Sequence, residues 1–162
     1  LKQNTNELAK LITSESGLCI KNTTYEISRV YNALMLGAKA IAQIEEDKTS
    51  RFTNGNNKKP RLNVISEPLD LVLGITPFNH PMNQVAHKDV PAIMAGTSIV
   101  LKPTEKTPLS AIKFAGLLHN AGLPPNFLNV VTSNNPKQFL EDALSTKLAQ
   151  LVIFTGGVEV GK

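Results

Sequence analysis

The sequence predicts an α/β fold: a parallel sheet with helices on both faces, preceded by N-terminal helices and a short strand segment. Three observations predict it. After residue 69, short apolar runs alternate with stretches of helical period, the order that builds parallel βαβ units. The helical stretches open on Pro81, Pro108 and Pro136, a residue favoured in the first helical turn. Polar or glycine-rich clusters follow the apolar runs, where ligands gather in open parallel sheets.

The elements are predicted in order. Leu8, Leu11 and Ile12 carry helical spacing, and Gly17 offers a C-terminal stop. Thr23 with Glu26 three residues on reads as a capping box. Ile27, Val30, Tyr31, Leu34, Ala38 and Ile41 then recur on one face, so a long amphipathic helix is expected to about Ile44. Residues 45–59 read as a polar loop around Asn54, Gly55, Asn56 and Asn57, with Lys58, Lys59 and Arg61 as a solvated basic cluster. Leu62, Val64 and Ile65 lead into a short strand closed by Pro68. Strands follow at 71–75, 98–101, 128–131 and 151–154, with helices at 81–95, 108–121 and 136–144. Four strands joined in this way imply a right-handed parallel arrangement. The division expected is 1–68 for the N-terminal helices and short strand and 69–162 for the alternating strand–helix domain.

Composition narrows the function classes. The chain has 162 residues, 41% hydrophobic and 19% charged, with net charge +4. That is long enough for one domain-sized core, and the charge excess is too small to select nucleic acid, phosphate or membrane. The basic cluster lacks interleaved aromatics, so nucleic-acid binding is not expected. A lone Cys19 excludes an intrachain disulfide and a cysteine-rich metal framework, and no metal site is expected. No apolar run approaches the roughly 20 residues a spanning helix needs. No secretory signal is legible, and a cytoplasmic protein with no membrane partner is the expectation. A start at Leu1 and an end inside a glycine motif suggest a piece of a longer chain.

Three clusters should lie at strand C-termini: 76–81, 102–105 and 155–162. Gly156, Gly157 and Gly161 follow a strand and open a helix, which suits either a tight turn or a phosphate cradle. The spacing is neither G-x-G-x-x-G nor a complete P-loop. Lys102 and Glu105 suit vicinal hydroxyls, one donating and the other accepting, or else a surface lysine and a helix-entry glutamate. Asn79 either caps the helix that begins near Pro81 or donates its amide to an oxyanion. His80 is a helix-start histidine or a substrate ligand. His87 and Lys88 are expected to decorate the helix, and His119 to lie near a helix C-terminus.

Together these clusters resemble the aldehyde dehydrogenase superfamily, whose members read ITPFN-x-P, K-P-[ST]-E and FTG-x-x-x-x-G in this order and at about this spacing. The likeness covers essentially the whole chain. Within it, residues 77–81, 154–157 and 15–19, with Tyr25, Glu26 and Arg29, look like the phosphonoacetaldehyde dehydrogenase group. The resemblance implies a Rossmann-like, dinucleotide-binding domain over 69–162, a bridging strand within 1–68, and an NAD site, with NADP as the other candidate cofactor. Lys102 and Glu105 would hold the adenosine ribose, Glu105 repelling a 2′-phosphate. Gly156 and Gly157 would lie near the pyrophosphate, and Val160 on the adenine side. Ile75, Thr76, Pro77 and Phe78 would line the cofactor and substrate entrance. Asn79 would be the catalytic oxyanion amide, while Arg29 and His80 would hold an anionic phosphonate. The nucleophilic cysteine and the general-base glutamate lie beyond Lys162 in this family, so the chain would be the cofactor-binding part of an enzyme rather than an enzyme alone. Cys19 falls in a region that reads as structural.

The family also implies a small aldehyde as partner and a homodimer or homotetramer of the full-length protein. Departures from its pattern are residues 133–135, where a glycine-containing turn is usual, Gly157 in place of serine, and Asp89 at a helix position that is usually apolar. The competing expectation is a stand-alone, non-catalytic nucleotide-binding or interaction module.

Overall fold

The computed structural model describes residues 1–50 and 67–161, with side chains in the first span to residue 43. Within it a short 3-10 turn, Lys2–Asn4, leads into α1 (Thr5–Ser16) and α2 (Ile20–Ser50). The remaining order is β1 (Leu71–Ile75), α3 (Pro81–Met94), β2 (Ser98–Lys102), α4 (Leu109–Asn120), β3 (Leu128–Val130), α5 (Pro136–Ser145), β4 (Leu151–Phe154) and α6 (Val158–Gly161). All strand pairings are parallel and the order is β3-β2-β1-β4. The chain therefore builds outward from β1 through β2 to β3, then returns to add β4 on the other side of β1. That reversal makes a switch point between β1 and β4, where the two flanking connections diverge.

Local chemistry accounts for most boundaries. Gly17 closes α1 at φ 73°, with its N–H on Thr13 O at 2.9 Å; the left-handed conformation carries no penalty without a Cβ. The predicted capping box is not formed. α2 begins three residues earlier, at Ile20, so Thr23 lies inside the helix and bonds Ile20 O (3.1 Å) and Thr13 Oγ1 (2.9 Å). α2 also continues past Ile44, so residues 45–50 of the predicted polar loop are helical. The predicted strand at 62–65 and the Lys58, Lys59, Arg61 cluster lie outside the described residues. At α5, Asn135 caps the helix by accepting the Gln138 N–H at 3.2 Å. An asparagine thus has a definite task in the turn that leads into α5.

One core runs from the N-terminal helices to the sheet. Leu8 and Ile12 of α1, Ile27 and Val30 of α2, Met82, Val85, Ala86 and Val90 of α3, and Ala111 and Phe114 of α4 cluster with Val72, Ile99, Leu101 and Leu128 of the strands. β1 is buried through its centre, Val72, Leu73 and Gly74 alike, whereas β4 is exposed or half-buried throughout. α2 and α3 pack closely at Gly37, where an added Cβ would come 2.6 Å from Val90 Cγ1.

Candidate functional site

The register of the sheet gathers the sequence-predicted clusters. Ile75 of β1 stands beside Lys102 of β2 on one side and Phe154 of β4 on the other. The next residues continue the ladder: Thr76 N–H donates to Lys102 O (3.3 Å) and Thr155 N–H to Ile75 O (3.2 Å). Three polar loops therefore leave three neighbouring strands at one level, at the C-terminal edge and around the β1–β4 switch point.

On the β2 side, Lys102 is buried and donates to Glu105 Oε2 at 3.2 Å, leaving the glutamate half exposed. Its own backbone N–H, helped by Lys102 and Lys106, holds the Glu105 carboxyl below the usual carboxylate range despite some burial. It is thus an acceptor at neutral pH. Lys106 reaches across to the β1 loop, its ammonium 4.8 Å from the centre of the exposed Phe78 ring. Ile75 and Pro77 are partly exposed and Thr76 is buried, so the β1 loop offers Phe78 and Asn79 outward.

Asn79 is not the cap of α3. That position belongs to His80, a left-handed residue at φ 55°, ψ 59°, whose side chain makes no capping bond. The free N–H groups of Met82 and Asn83 instead bond Glu26 Oε1 of α2, each at 2.9 Å. Glu26 Oε2 stands 3.4 Å from His80 Nδ1. Asn79 is exposed and makes no hydrogen bond among the described residues. Arg29 is exposed one turn beyond Glu26 on α2 and has no carboxylate partner among the described residues. No hydrogen bond joins it to His80 among the described residues. Both belong to the Glu26 neighbourhood, on separate elements.

The glycine loop has a steric explanation. A Cβ on Gly156 would lie 2.6 Å from Phe154 Cζ, and one on Gly161 2.9 Å from Phe154 Cε1, whereas nothing lies within 4 Å at Gly157. The Phe154 ring occupies the space two side chains would need. Gly157 is sterically free, so a serine there would fit. Val160, in α6, is 64% exposed.

One residue of α3 differs from expectation, and a second, Asp89, is buried at the position read as usually apolar. His87 is exposed, as expected, but Lys88 is buried at 3% exposure and donates to Thr155 Oγ1 at 2.7 Å, tying α3 to the end of β4. Burial pushes its ammonium below the ordinary lysine range, opposed by the charge of Asp89. Asp89 is fully buried, neither carboxylate oxygen has a hydrogen-bond partner among the described residues, and desolvation holds its carboxyl well above the usual range. His119 does lie in the last turn of α4, with its two ring nitrogens against the carbonyls of Leu123 (3.3 Å) and Leu128 (3.2 Å). Among the described residues no group of three or more His, Cys, Asp or Glu is placed to hold a metal, and no helix is long and apolar enough to cross a membrane.

The family model of the aldehyde dehydrogenases matches residues 1–162. The chain belongs to the aldehyde dehydrogenase family. It is 33% identical over 156 residues to 3-sulfolactaldehyde dehydrogenase of Priestia aryabhattai, covering 96% of this chain and 32% of that protein. It is 35% identical over 162 residues to 2,5-dioxopentanoate dehydrogenase of Saccharolobus solfataricus, covering 100% and 33%. Among solved structures, succinate-semialdehyde dehydrogenase from Burkholderia pseudomallei superposes with a TM-score of 0.88 at 31% identity over 98% of this chain and 32% of that one. Glyceraldehyde-3-phosphate dehydrogenase from Methanocaldococcus jannaschii, complexed with NADP, gives 0.83 at 30% identity over 99% and 34%. The chain thus spans about a third of the length of the curated relatives it matches. These relatives are aldehyde dehydrogenases of differing substrate, and none is named for phosphonoacetaldehyde.

Two features of this aldehyde dehydrogenase chain escaped the sequence reading. The spacing from Thr23 makes Glu26 a local capping partner, but it caps α3 from another helix. Glu15 does the same for α4, accepting the N–H groups of Leu109 (2.8 Å) and Ser110 (3.0 Å). A signal was present for Glu26: it lies beside Thr23, Ile27 and Val30 on the buried face of α2, where a charge needs a partner. For Glu15 no local pattern points to α4.

Proposed function

We propose that the chain is the cofactor-binding part of an NAD(P)-dependent enzyme that oxidises a small anionic aldehyde, phosphonoacetaldehyde in particular, to the carboxylic acid. The observation that carries the reading is the alignment of three loops at one sheet edge around the β1–β4 switch point, with the Asn79 amide uncommitted among them. Residues 69–162 form the dinucleotide unit in this reading, and residues 1–68 its N-terminal helical support.

The donor set fits a dinucleotide. Lys102 and Glu105 offer one cation and one acceptor 3.2 Å apart, matched to the two hydroxyls of a ribose. The ionised Glu105 favours NAD over a 2′-phosphorylated cofactor, although the exposed Lys106 beside it supplies a compensating charge. Gly156 and Gly157 present backbone without side chains toward the pyrophosphate, with Val160 on the adenine side. Ile75, Thr76, Pro77 and Phe78 border the entrance. When bound, the nicotinamide supplies the hydride acceptor.

Asn79 acts on the substrate. As a thiolate attacks the aldehyde carbon, negative charge grows on the carbonyl oxygen, and the Asn79 amide donates to it without a change in its own charge. The thiolate, and the base that activates water for thioester hydrolysis, come from outside residues 1–162 in this reading, and Cys19, an exposed residue of the α1–α2 connection, is given neither role. Arg29 and His80 face the substrate's anionic end. An anionic tail is supported by the relatives named for sulfolactaldehyde and for succinate and glutarate semialdehydes, each carrying a sulfonate or carboxylate.

The test uses the natural full-length polypeptide: formation of reduced nicotinamide is followed with phosphonoacetaldehyde and with succinate semialdehyde as comparison. Turnover should require an aldehyde, and Asn79→Ala should lower kcat by roughly 10²–10³. Absence of both cofactor binding and turnover would overturn the assignment. Turnover with succinate semialdehyde alone would remove the phosphonate and leave the rest.

A further inference from the structure

The N-terminus of α3 has two side chains competent to cap it, and only one does so. Asparagine is among the best residues for this task, and a cap side chain reaches the N–H two or three residues on. Asn79 is three residues before Met82. Yet the Met82 and Asn83 N–H groups both bond Glu26 Oε1 at 2.9 Å, from a carboxylate only 1% exposed. Between them stands His80, whose left-handed φ of 55° ends the helix one residue short of Asn79. A residue with a Cβ enters that region at a cost, and surrounding contacts must hold it there. Those contacts are the Glu26 carboxylate on the first turn, its second oxygen 3.4 Å from His80 Nδ1, and the Gln84 N–H on His80 O at 3.0 Å.

We infer that Glu26 is a positioning residue that keeps the Asn79 amide available by occupying the α3 cap in its place. Without the carboxylate, His80 relaxes into the right-handed region, α3 gains a residue, and Asn79 Oδ1 turns inward to accept the Met82 N–H. The side chain is then held by the protein's own backbone, and its Nδ2–H groups are no longer presented to the substrate. The inference rests on the reading of Asn79 as the oxyanion donor, and the buried glutamate would otherwise be only a remote helix cap. Glu15 supplies the comparison: it caps α4 by the same two-N–H geometry, but no side chain of the catalytic reading depends on that helix start.

Crystal structures and kinetics of the full-length protein and its Glu26→Ala variant test this. The variant is expected to show His80 in the right-handed region with Asn79 on Met82 N–H. Its kcat should fall at least about tenfold, toward the loss produced by removing an oxyanion donor, with little change in the KM for cofactor. Glu26→Gln, which keeps an acceptor oxygen, should recover most of that loss. Glu15→Ala should lower the melting temperature comparably and leave kcat alone. If Glu26→Ala does not fold, Glu26→Asp, whose shorter side chain draws the carboxylate back from both N–H groups, takes the same readouts. A left-handed His80 with Asn79 still free in the variant overturns the inference, as do equal kcat losses in the Glu26 and Glu15 variants. An Asn79→Ala protein with undiminished kcat would instead sink the oxyanion reading, while the His80 backbone would still report who caps α3.

Discussion

Asp89 sits at the middle of the buried arc of α3. Lys88, Val85 and Ala92 lie to one side of it around the helix and Ala86 and Val90 to the other, while His87 and Pro91 face solvent opposite. Its carboxyl is raised by desolvation and unpartnered, so the folded state holds the proton where the unfolded chain, with a pKa of about 3.9, has released it. More protons bound in the native state means that stability falls as pH rises above about 4, continuing up to the raised native value. Asp89→Leu should therefore stabilise the protein by about 1–3 kcal/mol near neutrality, and by less at pH 4. Urea melts at the two pH values check this; an equal gain at both would show that ionisation of Asp89 carries no penalty. At the sheet edge, Glu105→Ala should raise the dissociation constant for NAD and relax discrimination against NADP, read by calorimetric titration of both cofactors. Unchanged binding of both would remove the ribose assignment. The placement of these residues at one edge was legible, because Lys102 ends β2 while Asn79, Glu105 and the glycines come within a few residues of a strand end. Lys88 was not: its burial depends on Thr155, 67 residues later, a separation over which helical period carries no information.

Helix α2 meets α3 at Gly37, and helix α4 carries a second glycine, Gly116, in a different setting. An added Cβ at Gly37 would lie 2.6 Å from Val90 Cγ1 and 3.0 Å from Met94 Cγ, while at Gly116 nothing lies within 4 Å. Gly→Ala raises helix propensity by up to about 1 kcal/mol in either place, so packing decides the sign. Gly116→Ala should stabilise by roughly that amount. Gly37→Leu should destabilise by about 1–3 kcal/mol through overpacking. Parallel thermal melts distinguish the two, and a stabilised Gly37→Leu would mean the helices separate without cost. The strands and the later helices were legible because apolar runs and proline starts are local signals. The start of α2 was not. The Thr23–Glu26 spacing matches a capping box, but Glu26 bonds more favourably across to α3 and Thr23 to Thr13, so tertiary partners displaced the local motif and the helix begins at Ile20.

Across the whole molecule, polarity is unevenly distributed between the two sides of the sheet's order. From β3 to β1 the apolar strand residues are covered by α3 and α4, and α1 and α2 complete the core. Beyond β1 the pattern reverses. Leu144, Leu148, Leu151, Val152, Val158 and Val160 are all exposed, α5 buries no residue, and no strand pairs with the far edge of β4 among the described residues. An apolar, unpaired edge strand is a template for another chain, and clustered exposed aliphatics add a hydrophobic drive. A polypeptide of these 162 residues should therefore self-associate with increasing concentration and bind a hydrophobic dye, in proportion to this one region. Val152→Lys places a charge on the open strand, and charged edge strands resist pairing. It should reduce both signals while leaving the core unchanged, as read by light scattering, dye fluorescence and far-UV circular dichroism. If association and dye binding persist at the original level, the sticky surface lies elsewhere, and the exposed aliphatics of α2, Met35 and Leu36, become the next residues to charge.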